Sequence, residues 1–280
     1  MAATGVTETV ATSIDVVAAI LQQELIEKAV LLGTVTDYSA WVLPGANTVK
    51  LPRSGSFTAT NKAENTATTT SSLTFATDDI ELNIHGHIVA EIEDIAQEQS
   101  ALDIEATYME RMATAMALYV DNQVAAALVK ASNDIQLSGT SNLVLTLADI
   151  AEARKLLNEA DVPQEERFLA IPAAQEEAML NISNFINADQ YGSRDGLMNG
   201  EIGRVFGFRV IVTNQFSSDS EFVAYHRSHV GFARQMAPKF ERQRSSLTKL
   251  SDEVSLSLLF GVKQLDSGNR AVYADETVTP

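Results

Sequence analysis

Two histidines two positions apart are the residues whose spacing most directly suggests chemistry. His85 and His87 lie in a run of alternating apolar and polar residues that predicts a β-strand. Their side chains would therefore share one face and could ligate a metal ion. Two ligands do not make a metal site, and the neighbouring sequence offers no obvious third. His226 and His229 are likewise interpreted as structural, so we predict no metal site.

Motifs for catalysis or cofactor binding do not occur in the sequence. It lacks the dinucleotide-binding fingerprint, the P-loop, the HExxH helix and the GxSxG nucleophile elbow. It contains no cysteine, which excludes thiol catalysis and disulfides. A Ser/His/Asp site that the fold assembles from distant residues would leave no sequence motif. No motif in this chain indicates such a site. We predict no catalytic residue, no cofactor and no enzyme.

Basic residues are concentrated in one part of an otherwise acidic chain. The sequence carries 20 Lys and Arg against 37 Asp and Glu, a formal net charge of −17. Its general surface should therefore not bind nucleic acid or anionic membranes. Between Arg227 and Lys249, by contrast, Glu241 is the single acid, and Arg242 and Arg244 alternate on a predicted strand. A solvated strand face, a nucleic-acid contact and pairing with acids of a neighbouring subunit all fit this pattern. We favour the last.

Two long stretches have helical periodicity. Ser13–Leu32 carries one apolar stripe that must dock on something distant. Glu91–Ala131 is predicted as one helix, uninterrupted by Pro or Gly, with a length of about 60 Å. Thr146, followed by Asp149, predicts the start of a further helix through a capping box.

The long helix is predicted to have one strongly negative face. Two bases, Arg111 and Lys130, accompany its acids. These acids are Glu91, Glu93, Asp94, Glu98, Asp103, Glu105, Glu110 and Asp121.

A polar stretch separates two extended runs near the N-terminus. Trp41–Pro52 and the alternating Ile80, Leu82 and Ile84 predict strands. Between Thr58 and Thr77 most residues are Thr, Ser, Ala or Asn, which cannot build a core. The three segments together predict a long β-hairpin that projects from the body.

The remainder of the chain reads as α/β and then all-β. Residues 145–235 predict a compact α/β subdomain, in which 205–212 is one strand and 185–203 is a loop. Three strands follow, at 239–247, 254–262 and 270–274. The predicted class is α+β, and the shape suits a subunit that overlaps its neighbours better than a lone monomer.

This order of elements resembles the tailed-bacteriophage major capsid proteins, which have the Hong Kong 97 fold. The strings Tyr191–Thr213 (YGSRDGLMNGEIGRVFGFRVIVT) and Leu258–Val262 (LLFGV) are similar to theirs. The resemblance implies an N-terminal arm and an extended loop (the E-loop), then a P domain built from a spine helix and a β-sheet, and an A domain. The implied bounds are 1–43 for the arm, 44–87 for the E-loop hairpin, 88–144 for the P domain with its spine helix, 145–235 for the α/β A domain and 236–280 for the returning P-domain strands.

The same resemblance implies a function and partners. Copies of the chain would assemble as hexamers and pentamers into an icosahedral shell around the double-stranded DNA of a tailed phage. The acidic spine would face the interior and repel DNA, so that DNA is only weakly contacted. A portal protein is implied, and a separate scaffolding protein too, because the large N-terminal scaffolding extension of some members is missing. The expected location is the virion, assembled in the bacterial host cytoplasm. No membrane partner is expected, since no stretch reaches the roughly 18 apolar residues of a membrane span.

Eight charged residues are the predicted inter-subunit contacts. They are Arg53, Lys62, Glu64, Asp78, Asp79, Glu81, Arg242 and Arg244. Some family members crosslink subunits through a Lys–Asn isopeptide bond with a Glu as catalyst, and Lys62 lies in the corresponding loop. No string identifies the partner Asn or the Glu, so we interpret Lys62 as an exposed charge at the loop tip or as a salt-bridge partner.

Two alternatives remain. The same fold could form an encapsulin-type nanocompartment that houses enzymes instead of a genome. A soluble α/β enzyme with a disordered insertion at 58–77 would instead form a small discrete oligomer.

Overall fold

The computed structural model describes residues 29–55, 59, 61–68, 75–99, 104–137, 145–180, 203–246 and 250–275. Most of the predicted helix Ser13–Leu32, the middle of the polar stretch and most of the predicted loop 185–203 lie outside these ranges. Residues 32–34, the first element described, form a single 3-10 turn.

The described residues form four helices and twelve strands. The helices are α1 (Asp94–Gln99), α2 (Ile104–Leu128), α3 (Leu147–Glu159) and α4 (Ala173–Leu180). The strands are β1 (Thr36–Asp37), β2 (Thr48–Ser54), β3 (Phe75–Glu81), β4 (Ile84–Glu93), β5 (Asn133–Gln136), β6 (Arg167–Ile171), β7 (Arg204–Val205), β8 (Phe208–Val212), β9 (Phe222–His226), β10 (Val230–Ser246), β11 (Ser251–Gln264) and β12 (Ala271–Asp275).

Helix α2 packs on a four-stranded sheet with the order β1-β10-β11-β4. Strand β11 is antiparallel to both β10 and β4, and β1 is parallel to β10. Alternate residues of β11 from Val254 to Phe260 are buried against Val120, Val124 and Leu128 of the helix. The period of two in the strand and the helical spacing in α2 thus bury one face of each.

The predicted helix Glu91–Ala131 is wrong at both ends. Residues 91–93 are the last residues of β4, where Glu91 lies opposite Glu253 of β11. Their polar–apolar–polar order also fits a strand, and β11 supplies the hydrogen-bonding partner. The described helix α2 ends at Leu128, and the chain then turns. Residues 100–103, between α1 and α2, lie outside the described ranges.

A second sheet has six strands in the order β5-β12-β9-β6-β8-β7. Its core includes residues from α3, such as Ile150 and Leu157, and Met179 of α4. The sequence placed 270–274 with the returning strands, but β12 pairs with β9 and β5 in this second sheet. The pairing with β5 joins segments more than a hundred residues apart in the chain, which local patterning does not reveal.

The predicted single strand 205–212 is a tight hairpin. Strands β7 and β8 are antiparallel, with Val205 opposite Phe208. Phe206 and Gly207 form the turn, and both have positive φ angles, 47° and 88°. A two-residue hairpin turn whose twist matches that of its strands requires positive φ angles at both positions.

The predicted hairpin near the N-terminus is confirmed in its pairing. Strands β2 and β3 form a two-stranded antiparallel sheet from Thr48 opposite Glu81 to Ser54 opposite Phe75. The sequence predicts one strand that contains Ile80, Leu82 and Ile84. In the structure this run is divided, because β3 ends at Glu81 and β4 begins at Ile84.

The base of this hairpin rests on the body of the protein. Val49, Ile80 and Leu82 pack with Ala233 of β10 and with Leu265. The hairpin approaches β11 closely at Gly261, where a β-carbon would lie 2.1 Å from the carbonyl oxygen of Glu81. The hairpin can therefore lie this close to β11 only because residue 261 is glycine, which has no side chain.

The capping box predicted for α3 is present. The Thr146 hydroxyl accepts a hydrogen bond from the Asp149 amide at 3.4 Å, and the Asp149 carboxylate accepts one from the Thr146 amide at 2.9 Å. Together they satisfy two amide groups at the helix start.

Replacing Thr146 by alanine should lower the free energy of unfolding by about 1 kcal/mol, because the Asp149 amide loses its acceptor. Urea unfolding of unassembled subunits, followed by circular dichroism, measures the change. Thr146→Ser is the matched control, since it keeps the hydroxyl and should unfold near the parent midpoint. Equal losses in both variants would contradict the capping role.

Candidate interaction surfaces

Arg53 and Asp78 both contact Asp266, in the turn that follows β11. The Arg53 guanidinium forms an ion pair with the Asp266 carboxylate. The Asp78 carboxylate accepts a hydrogen bond from the Asp266 amide at 3.1 Å. Arg270 also donates to Asp266, at 3.1 Å. Two residues that the sequence predicted as inter-subunit contacts thus hold the hairpin base to its own chain.

Lys62 and Glu64 lie in the segment 61–68 and are exposed. Neither forms an ion pair with any residue that the structure describes. The role of Lys62 stays a prediction.

The outer side of the hairpin base combines acids with exposed apolar side chains. Asp79 and Glu81 lie two positions apart on β3 and border, with Trp41 and Leu43, a groove of about 570 Å³. Glu81 is exposed, and its Oε2 accepts a hydrogen bond from Asn83 at 3.2 Å. The Oδ1 atom of Asp79 is shielded from solvent and has no hydrogen-bond partner among the described atoms.

Trp41 and Leu43 were missed as candidate contacts in the sequence. They are 62% and 71% exposed, although both are large and apolar. Their signal was present, because Trp41 is the one tryptophan of the chain and follows the aromatic Tyr38. We name the surface of Trp41, Leu43, Asp79 and Glu81 the hairpin-base surface.

Arg242 and Arg244 have acidic partners within their own chain. Arg242 contacts the Asp252 carboxylate at 2.5 Å, and Arg244 bridges Asp252 at 3.2 Å and Asp94 at 2.6 Å. The hydrogen bond from Arg244 lowers the pKa of Asp94, and that from Arg242 lowers the pKa of Asp252. These exposed ion pairs join β10 and β11 to the start of α1. Pairing with a neighbouring subunit stays a prediction, and it would have to compete with these contacts.

A second group of arginines borders a groove of about 920 Å³ at the edge of the six-stranded sheet. Arg204 and Arg209 lie directly opposite each other on β7 and β8, and both are exposed. Arg227 in the same groove pairs with Glu166 at 3.1 Å. Sequence reasoning missed Arg204 and Arg209, although they are placed symmetrically about the Phe206–Gly207 turn.

The two histidines of β4 lie near each other, as their spacing predicted. The ring centroids of His85 and His87 are 6.2 Å apart, and both side chains are exposed. In the described ranges no group of three potential ligands gathers around them or elsewhere.

A buried acid anchors the start of the described chain to α2. Asp121 is 2% exposed, and its Oδ1 accepts hydrogen bonds from the amides of Leu31 at 2.9 Å and Leu32 at 3.1 Å. Burial raises the pKa of Asp121 to about 6. The prediction that Asp121 belongs to an exposed negative face is therefore wrong. Ala117 and Ala125, four residues before and after it, are buried and place it on the apolar side of the helix.

Two further polar groups are buried near this anchor. The Tyr225 hydroxyl lies 2.6 Å from the Thr34 hydroxyl, and burial raises its pKa. Burial also lowers the pKa of His229 to about 4, so its ring is neutral at pH 7. His229 lies 3.4 Å from the Leu128 carbonyl oxygen, in agreement with a structural role.

Comparison with known proteins gives a match over most of the sequence. Residues 16–267 match the model of the family described as phage capsid protein. No curated protein matches the chain. None of the described helices is long and apolar enough to cross a bilayer.

Solved structures with the same fold include several phage particles. A structure from Mycobacterium phage Che8 has a TM-score of 0.77 at 24% identity and covers 88% of this chain and 90% of that one. The capsid of cyanophage P-SCSP1u has a TM-score of 0.71 at 17% identity, over 87% of both chains. The head of Helicobacter pylori bacteriophage KHP40 has a TM-score of 0.67 at 12% identity, over 86% of both. The predicted α+β class is confirmed.

Proposed function

The chain belongs to the phage capsid protein family, and from this premise we propose that the hairpin of one copy contacts its neighbours in the shell. The resemblance to tailed-phage major capsid proteins and their fold is confirmed. The chain is a major capsid protein that forms a shell. The family match disfavours both the encapsulin and the enzyme alternatives.

The observation that carries the contact proposal is that the E-loop hairpin has a firmly attached base and a long polar stretch beyond it. Its base is fixed to the body by the Val49 and Ile80 core and by the Arg53–Asp266 ion pair. Beyond Ser54 and Phe75 lie the exposed Lys62 and Glu64. A stretch this long and polar contributes little to the core of its own chain, so we assign it to contacts between copies.

The domain division carries over as part of this proposal. Helix α2 and the four-stranded sheet would form the P domain, and the six-stranded sheet with α3 and α4 would form the A domain. Strand pairing supports moving β5 and β12 to the A domain and the start of β10, from Val230, to the P domain. The arm would then be the chain before Leu31, the residue whose amide Asp121 binds.

The wider set of partners is also proposed. Copies of the chain would meet as hexamers and pentamers, with a portal protein at one position and a separate scaffolding protein during assembly. Packaged double-stranded DNA would touch the inner surface only weakly, because the net charge is −17 and exposed acids such as Glu98 and Glu110 lie on the helices. Assembly would take place in the host cytoplasm, and the finished shell would be part of the virion.

We expect the purified protein to form closed shells, sheets or hexameric and pentameric capsomers, observed by electron microscopy and sedimentation velocity.

A variant without the hairpin tip tests which part makes the contacts. Ser54 lies opposite Phe75, so an Asn-Gly turn can join them and replace residues 55–74. This shortened chain should remain folded, because the core at the hairpin base is retained, and it should form no closed particles.

A monodisperse dimer of the full chain would overturn the proposal. Normal shells from the shortened chain would show that the hairpin tip is not the contact, while the capsid function itself would stand. The thermal unfolding midpoint of the shortened chain, compared with that of the parent, verifies that it folds.

A further inference from the structure

Arg204 and Arg209 form an unusual pair of like charges. They occupy directly opposite positions on antiparallel strands, so their side chains share one face with β-carbons about 5 Å apart. Like charges in such a position destabilise the pairing. Neither arginine forms an ion pair with a residue in the described part of the chain, whereas the neighbouring Arg227 does. An anionic group on this face would remove the repulsion.

The turn between these arginines adds an exposed aromatic side chain. Phe206 is 44% exposed and has a φ angle of 47°, a backbone conformation that a bulky residue adopts at a cost. Asn or Gly would form the same turn more easily. A large apolar residue in a strained and exposed turn therefore points to a contact made outside this chain. We name Arg204, Phe206 and Arg209 the arginine site.

The hairpin-base surface has the complementary composition. Trp41 and Leu43 are exposed apolar groups, and Asp79 and Glu81 lie on one face of β3 at a spacing of about 7 Å. Lys50, opposite Asp79, is the one base that borders the groove. Each surface thus combines exposed apolar area with charge. The arginine site is positive, and the hairpin-base groove, with two acids and one base, has a net negative charge.

We propose that the arginine site of one copy binds the hairpin-base surface of a second copy. Tryptophan and arginine are enriched at the energetic centres of protein interfaces, and opposite charges select the partner and its register. The two surfaces belong to different sheets of the chain. Unless the same two copies exchange the contact in both directions, it is heterologous and passes from copy to copy, as a ring or a shell requires. The inference rests on the proposed function, because it needs a second copy in the assembly.

Charge reversal tests the pairing. Arg209→Glu and Glu81→Arg are prepared separately and together, with Lys155→Glu as a control at an exposed residue of α3. Each single reversal should lower the yield of closed particles about tenfold or more, since it places like charges together. The double variant should restore the yield, and the control should match the parent. Circular dichroism melts show whether the single variants fold.

Fluorescence of Trp41 provides a second measurement. Because the chain has one tryptophan, its emission reports this surface alone. The emission should shift to shorter wavelength when the parent assembles. It should stay unshifted in Arg209→Glu under the same conditions.

The outcomes separate the two proposals. If the parent forms no shells, sheets or capsomers, both the proposed function and the arginine-site contact are overturned. If the parent forms shells and the single variants do too, only the contact is overturned. The same holds if the double variant stays defective or if Trp41 emission is unchanged on assembly. Loss of DNA binding by Arg209→Glu with normal assembly would assign the arginine site to nucleic acid and also overturn the contact.

Discussion

Replacing Gly261 by alanine is expected to lower the free energy of unfolding by about 3 kcal/mol or more. The new β-carbon would lie 2.1 Å from the Glu81 carbonyl oxygen and 2.8 Å from its carbon, both backbone atoms. Glu81 cannot withdraw easily, because it pairs with Thr48 and precedes the buried Leu82, whose amide donates to the Asn47 carbonyl oxygen at 2.8 Å. The hairpin base would have to leave β11.

Thermal and urea unfolding of unassembled subunits measure this loss. Gly33→Ala is the matched control, because a β-carbon there meets nothing within 4 Å. It should change the stability by less than about 0.5 kcal/mol. Limited proteolysis should also cut the hairpin of the Gly261 variant faster than that of the control. A Gly261→Ala protein as stable as the control would show that the hairpin can shift on the sheet at little cost.

Substitutions of Asp121 should separate its hydrogen bonds from its charge. Asp121→Ala leaves the Leu31 and Leu32 amides without their acceptor, and Leu31 is completely buried. We expect a loss of about 2 to 4 kcal/mol and release of the chain before Leu31. Asp121→Asn keeps an oxygen that can accept both bonds and carries no charge. At pH 8 the asparagine variant should therefore be more stable than the parent.

The difference between Asp121→Asn and the parent should depend on pH with a definite sign. The carboxyl pKa is about 6 in the folded chain and about 4 in an unfolded one, so ionisation opposes folding. The stability advantage of asparagine should be smallest at pH 4, grow between pH 4 and 6, and reach about 2 kcal/mol above pH 6. His229 has the opposite effect in this window, because its lowered pKa makes stability rise with pH.

Comparing the two proteins at each pH removes the contribution of His229, which both contain. Denaturant midpoints measured from pH 4 to pH 8 give the difference directly. A constant difference across this range would mean that Asp121 is not an ionising buried acid. Destabilisation of the asparagine variant at pH 8 would mean that the amides need the charged acceptor.

Local patterns predicted the elements whose partners are near in sequence. The alternation around Val49 and Ile80 predicted the hairpin strands, and Thr146 with Asp149 predicted the start of α3. Strand β12 could not be placed in this way, because its partners β9 and β5 are fixed by packing between distant segments. The alternation of Glu91, Ile92 and Glu93 fits a strand, but the same residues also continue the helical periodicity of the segment after them. The pairing with β11 that decides between the two is not visible locally.

The interaction surfaces were harder to predict for a similar reason. Arg242 and Arg244 stood out because they lie in a basic stretch, yet Asp252 and Asp94 accompany them in the folded chain. Arg204 and Arg209 do not stand out in the sequence, because the alternation around Phe206 and Gly207 predicts a strand and not a turn. Charge density along a sequence therefore points to cations without showing which of them are already paired.

The contacts at Asp266 have a mechanical consequence. The Asp266 carboxylate forms an ion pair with Arg53, and its amide donates a hydrogen bond to Asp78. The carboxylate also accepts a hydrogen bond from Arg270, which immediately precedes β12. Part of a force applied to the hairpin would therefore pass through this turn into the six-stranded sheet. Tension between neighbouring copies would load both sheets of each chain, so the stiffness of the assembly depends on this turn as well as on the surfaces that touch.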